Sequence, residues 1–178
     1  MIRLYLFTMQ YDWSTFTKRI PIKADIIDVY RAWATEAGLE SWFLRLSEFI
    51  TEKGDPRDAY DYVQPGDLYK WLWHGWGDEV IHYGKVIETN GVDHLSLTFD
   101  AGDKTTDMQV SVQMSRNLDF TIVELTQIHI PIDEQSKFLY HIGCMEGWTF
   151  YLTNLKSILE GGIDLRNKEV EIKKVINS

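Results

Sequence analysis

The feature that most constrains the fold is a change of period along the chain. Between Leu68 and Ile130 the apolar residues recur mainly at every second position, whereas from Phe138 to Leu159 they recur at every third or fourth. The first pattern describes half-buried strands and the second a helix with one apolar face. A lone helix after a run of strands has only the apolar face of their sheet on which to bury its stripe. The chain is therefore expected to form an α+β domain in which a curved antiparallel sheet wraps around one long C-terminal helix.

Within the strand region, LYKWLW places Tyr69, Trp71 and Trp73 on one face. Gly75, Gly77 and Asp78 make a turn, and EVIHYGKVIET forms the next strand, with Gly84 marking a bulge or a close backbone approach. Asn90-Gly91 is a hairpin signal, because both residue types tolerate left-handed dihedrals. HLSLTF and MQVSVQM alternate cleanly, while FTIVELTQIHI is apolar on both sides and is expected to lie centrally. Asp133 can cap a helix over about Glu134 to Glu160, whose stripe is Phe138, Ile142, Met145, Trp148, Leu152, Leu155 and Leu159. Gly161-Gly162 stops it.

The first third of the chain is mixed. A strand is expected from Trp13 to Ile22, followed by a helix capped by Asp25 that carries Ile26, Val29, Tyr30 and Trp33. A second short helix runs from Glu36 to Trp42. The segment from Glu52 to Asp67, rich in proline, glycine and aspartate, forms a loop that can act as a flap at one end of the sheet.

A length of 178 residues suits one domain, and the single cysteine excludes an intrachain disulfide and any thiolate zinc site of the CxxC kind. A net charge of -9 repels polyanions and anionic membranes, so nucleic acid is not an expected partner. Arg3 interrupts the apolar opening, and no stretch is long enough to cross a bilayer, so neither secretion nor membrane insertion is expected and a cytoplasmic location follows. The domain is expected over residues 11–166, with residues 1–10 as an N-terminal extension and 167–178 as a C-terminal tail. Met1 to Thr8 are expected to carry no function.

Catalytic signatures are missing. The five histidines have no metal-ligand spacing, and neither GxGxxG, a phosphate loop nor a nucleophile elbow occurs, so no metal and no cofactor are expected. Cys144 lies in an apolar helix with His141 three residues before it, the setting of an inert thiol rather than a nucleophile.

The segments FTKRIPIKADIIDVYRAWATEAGLESWF, GDLYKWLWHGW, GKVIETNGVDHLSLTF, FTIVELTQIHI and GWTFYLTNLKSILEGGIDLR together resemble the Hsp90 ATPase activator homologue family, a branch of the START-like (SRPBCC, Bet v 1-like) superfamily. The likeness covers about Thr15 to Arg166. It implies a helix-grip fold, often with a deep pocket between sheet and helix. Superfamily members bind lipids, sterols, polyketides or hormones, and the protein that names the family stimulates the Hsp90 ATPase.

In such a shell Tyr69, Trp71 and Trp73 can line a pocket that Met145 and Trp148 close from the helix side, or the same residues can fill a solid core. Gly143 and Gly147, four residues apart, either bring the helix near the sheet or leave room for a ligand. Glu124 in an otherwise apolar strand, and His82, are the candidate polar groups of such a pocket; Glu124 facing solvent is the competing reading. Gln127 and Gln109 are weaker candidates of the same kind.

Three functions follow from these residues. The first is non-catalytic binding of a small apolar or aromatic ligand. The second is a protein-interaction module, co-chaperone-like or homodimeric, that uses Tyr60, Tyr62 and Trp76. The third is a pocket enzyme of the cyclase, dehydratase or hydrolase type, using Glu124 or His82 as acid or base.

Overall fold

The computed structural model describes residues 11–99, 107–169, 171, 172 and 175. The extension 1–10 and part of the tail lie outside the described residues. Seven strands form one antiparallel sheet: β1 Phe16–Ile22, β2 Leu46–Ile50, β3 Leu68–Leu72, β4 His82–Thr89, β5 His94–Thr98, β6 Gln109–Asn117 and β7 Phe120–Ile128. Their order is β1-β7-β6-β5-β4-β3-β2. Helices α1 Ile26–Ala34 and α2 Glu36–Trp42 follow β1. The C-terminal helix comprises a short turn α3 Glu134–Ser136, a π-helical turn Lys137–Ile142 and α4 Gly143–Leu159.

Trp148, Leu152 and Leu155 of α4 bury against the inner residues Val110, Val112, Met114, Val123 and Leu125 and against Trp33 and Trp42 in one core. Each fully buried side chain of this size contributes about 1.5–3 kcal/mol, an upper estimate for a chain already compact before folding. The expected long helix is thus present, and its first part differs. Gly143 N–H reaches back to the Phe138 carbonyl, five residues earlier. This wide turn inserts one residue, about 100° of rotation, relative to a continuous α-helix. Phe138 and Ile142, expected in the apolar stripe, are consequently exposed, and His141 is buried in their stead. His141 Nδ1 bonds the Trp13 carbonyl and Nε2 the Tyr11 hydroxyl, which ties the entry of the chain to the π turn.

Strand β2 has no counterpart among the sequence expectations. It is short and lies at the sheet edge, paired with β3 on one side, and its outward amides are met by side chains rather than by another strand: Ser47 N–H donates to Glu40 and Phe49 N–H to Glu36. Burial raises the pKa of Glu36, against the Phe49 hydrogen bond that lowers it. Such capping blunts an edge that would otherwise template pairing. The Glu52–Asp67 loop is also held in place. Asp67, nearly fully buried, takes a bidentate pair from Arg57 at 2.5 and 2.8 Å and a third bond from Gln64 N–H.

Three local expectations resolve in physical terms. A Cβ at Gly84 would collide with the Tyr69 ring, so this glycine marks a close approach, and the bulge lies further on, between Val86 and Glu88. The Asn90-Gly91 turn spans four residues, because the Asn90 side-chain oxygen accepts from the amides of Val92, Asp93 and His94. Asp25 starts α1 with its carbonyl, while its carboxylate pairs with Arg116 at 2.7 Å instead of capping the helix.

Candidate functional site

Strand β3 turns Tyr69 and Trp71 into the interior, where they stack with ring centroids 3.9 Å apart. Tyr69 donates its hydroxyl hydrogen to the Thr98 carbonyl at 2.6 Å. Trp73, one step past the strand, emerges from this stack at the end of the sheet. There it meets a cleft of about 440 Å³ between the β3–β4 connection and the start of α4. Trp73 and Phe99 form its sheet-side wall, Phe43 at the end of α2 a further wall, Trp148, Gly147 and Tyr151 its helix-side wall, and Trp76, Val80 and Leu139 its lips.

Of the sequence candidates, Trp73 and Trp148 line the cleft. Tyr69 and Trp71 form the packed layer behind it, so the expected aromatic stripe divides into a solid part and an open part. Met145 is half-buried against the core and is not among the lining residues. His82 lies behind the sheet-side wall, its ring centroid 5.5 Å from Trp73 and 5.0 Å from Phe99. Glu124 is the clear departure. Along β7 the buried positions are Thr121, Val123, Leu125 and Gln127, so period two puts Glu124 on the outer face. There it pairs with Arg19, directly opposite on β1, at 3.0 Å, and contributes nothing to the cleft.

Gln127 is the inward polar residue of that strand. It is fully buried, accepts the Trp148 indole N–H at 3.0 Å and so fixes the ring that forms the cleft wall. Phe43, Phe99 and Tyr151 carried no distinguishing signal in the sequence; they reach the cleft because the end of α2, the end of β5 and the middle of α4 converge there.

Among the described residues the lining contains no Asp, Glu, Lys, Arg or His side chain. Burial pushes the Tyr151 phenol up to about 12, and burial likewise raises the Cys144 thiol, so both remain neutral at neutral pH. The indole N–H of Trp71 has no acceptor among the described residues. Groups of three or more His, Cys, Asp or Glu able to hold a metal ion are absent from the described residues. What such walls can do is hold an uncharged apolar body by dispersion and desolvation.

In the β3–β4 connection Arg45 holds both sides of Trp76, donating to the Trp73 carbonyl at 3.2 Å and to Asp78 at 2.6 Å. His74 in the same connection has its imidazole pKa pushed down by burial and by the cations Arg166 and Lys168. The end of α2 beside Phe43 is secured by a C-terminal clasp. Arg166 donates to the carbonyls of Glu40, Ser41 and Leu44 at the end of α2, and Asn154 donates to the Trp42 carbonyl. Phe43 sits inside this clasp.

A curved seven-stranded antiparallel sheet closed on a C-terminal helix, with an apolar cleft where the two part, defines the helix-grip class of α+β proteins. The family model described as Activator of Hsp90 ATPase homolog 1-like protein matches residues 23–160, and the chain belongs to that family. No curated protein matches its sequence. Solved structures with the same fold include the protein SSP2350 of Staphylococcus saprophyticus, at TM-score 0.64 and 14% identity, covering 85% of this chain and 96% of the other. The Aha1 dimer of Colwellia psychrerythraea gives TM-score 0.62 and 21% identity, covering 83% and 97%. NE0264 of Nitrosomonas europaea gives 0.62 and 17%, covering 85% and 97%. At these identities the likeness establishes the fold alone. No helix among the described residues is long and apolar enough to cross a membrane.

Proposed function

We propose that this protein binds a small, uncharged, apolar ligand in the cleft between Trp73 and Trp148, without catalysing its conversion. The observation that carries this reading is the combination of about 440 Å³ of open volume with walls that hold five aromatic rings besides the Trp76 lip and no ionisable acid or base of ordinary range. A volume of this size is typical of small-molecule sites. General acid–base chemistry needs a titratable group within hydrogen-bond reach of the reacting atom. Glu124 is committed to Arg19 on the outer face, which removes it from the enzyme alternative.

The test is titration with the neutral fluorophore N-phenyl-1-naphthylamine. Saturable binding with quenching of tryptophan emission is expected, weakened by Phe99→Ala and by Trp73→Ala. Absence of saturable binding, or identical binding by both variants, overturns the proposal.

A second reading is favoured by the exposure of the cleft lips: Trp76 is 54% and Leu139 47% exposed. Exposed aromatic and aliphatic side chains around a cavity also suit contact with another protein, including a second copy of this chain. Tyr60 is exposed as well, although it lines a separate groove with α1 and α2, and Tyr62 packs edge-on against Tyr30. Sedimentation across a range of concentrations decides this reading: a monomer at every concentration removes the homodimer.

A further inference from the structure

The π turn leaves three large apolar side chains exposed at the start of the C-terminal helix: Phe138 is 68% exposed, Ile142 41%, and Leu139 lies between these values. At about 100° per residue, Phe138 and Ile142 fall on the helix surface between His141 and Leu139. His141 is turned inward, bonded to the Tyr11 hydroxyl and the Trp13 carbonyl, and Leu139 stands at the mouth of the cleft. The exposed side chains therefore mark a path around the helix from Tyr11 to the cleft. Contiguous exposed apolar surface of this kind marks a contact.

The segment preceding Tyr11 suits that path. Residues 1–10 read MIRLYLFTMQ, in which seven of the ten are Met, Ile, Leu, Tyr or Phe and Arg3 is the one charge. Tyr11 itself is fixed on the π turn, its hydroxyl 2.8 Å from His141 Nε2 and its ring centroid 5.4 Å from the imidazole. Ten extended residues span at most about 33–36 Å. A helix with its side chains is only about 10–12 Å across. The segment is thus long enough to cross Phe138 and Ile142 and to reach Leu139.

We infer that residues 1–10 dock within the same chain across Phe138, Ile142 and Leu139, as a strap on that lip of the cleft. Met1 to Thr8, expected from the sequence to carry no function, then have one. Apolar surface buried on both the strap and the helix offsets the entropy lost in ordering ten residues. The anchor at Tyr11 gives the segment a high effective concentration at the patch, which favours it over the same segment of another copy. A strap lying on Leu139 narrows the entrance, so that a ligand enters when the strap lifts; this consequence rests on the ligand-binding proposal, whereas the docking does not.

Hydroxyl-radical footprinting of the full chain, read residue by residue by mass spectrometry, tests the docking, with Leu4→Asp combined with Leu6→Asp as the strap variant. Oxidation of Phe138 and Ile142 is expected to rise about threefold or more in the variant, while exposed Tyr60 in its separate groove stays unchanged. Phe138→Ser tests the same contact from the helix side and should raise oxidation of Met9. Unchanged oxidation of Phe138 and Ile142 in the strap variant overturns the inference. Protection that appears only as protein concentration rises overturns it too, by assigning the segment to a second copy. For the gate, the association rate of N-phenyl-1-naphthylamine should be about 2–5-fold faster in the strap variant. An unchanged rate removes the gate and leaves the docking to the footprint. If neither protein binds the probe, the ligand-binding proposal falls, and the footprint still decides the docking.

Discussion

The Trp148 indole N–H donates to the side-chain oxygen of Gln127 at 3.0 Å, and this buried bond joins the C-terminal helix to the concave face of β7. Gln127→Leu keeps the volume and removes the acceptor, which leaves the indole N–H unsatisfied in the core. The expected loss is about 1–3 kcal/mol, measured by urea denaturation, with a change in tryptophan emission as the wall of the cleft loses its anchor.

The clasp predicts a dependence on acid. Burial opposes ionisation of Asp164, yet hydrogen bonds from Arg166 and Lys168 outweigh it and hold the carboxyl well below its ordinary value of 3.8. A folded-state value lower than the unfolded one means that the contribution is fully present above the unfolded value. It is lost as pH falls below about 3.8 towards the folded value. Asp164→Asn should accordingly lower stability at neutral pH and flatten its decline in acid, as followed by denaturation between neutral pH and strong acid.

Leu118 sits at the tip of the β6–β7 hairpin with φ of 53° and 90% of its surface exposed. A branched side chain in the left-handed region is strained by roughly 1–2 kcal/mol, and this one buries nothing in return. Leu118→Asn or Leu118→Gly should raise stability by about 0.5–1 kcal/mol, visible as a higher melting temperature without change in ligand affinity.

Arg45 holds the β3–β4 connection on both sides of Trp76. Its pair with Asp78 is well exposed, so Arg45→Ala should cost only about 0.5–1 kcal/mol locally. The measurable consequence is amide exchange in Gly75 to Glu79 about 2–5-fold faster, together with a similar rise in the dissociation rate of the naphthylamine probe. Unchanged exchange would show that the lip is held by something other than this staple.

Period alone was enough to place β3 to β7 and the C-terminal helix, because alternation and helical spacing are local properties of the chain. The inward set Tyr69, Trp71 and Trp73 was legible for the same reason. Strand β2 was not, since its amides are satisfied by Glu36 and Glu40 from another element and its five residues carry little pattern of their own. Nor was the π turn, whose extra residue is stabilised by the distant partners Tyr11 and Trp13 of His141.

For function the division is sharper. Sequence by itself determined the class of fold, the acidic surface, and the presence of aromatic residues on one strand face and one helix face. Only the tertiary structure decided which of those aromatics fill the core and which bound open volume, because a void is a property of how three elements meet and has no local signature. It also decided between Glu124 and Gln127. Both interrupt the same apolar strand, and the sheet's two faces, one packed under a helix and one solvated, assign the neutral residue to the interior and the charged one to an ion pair outside.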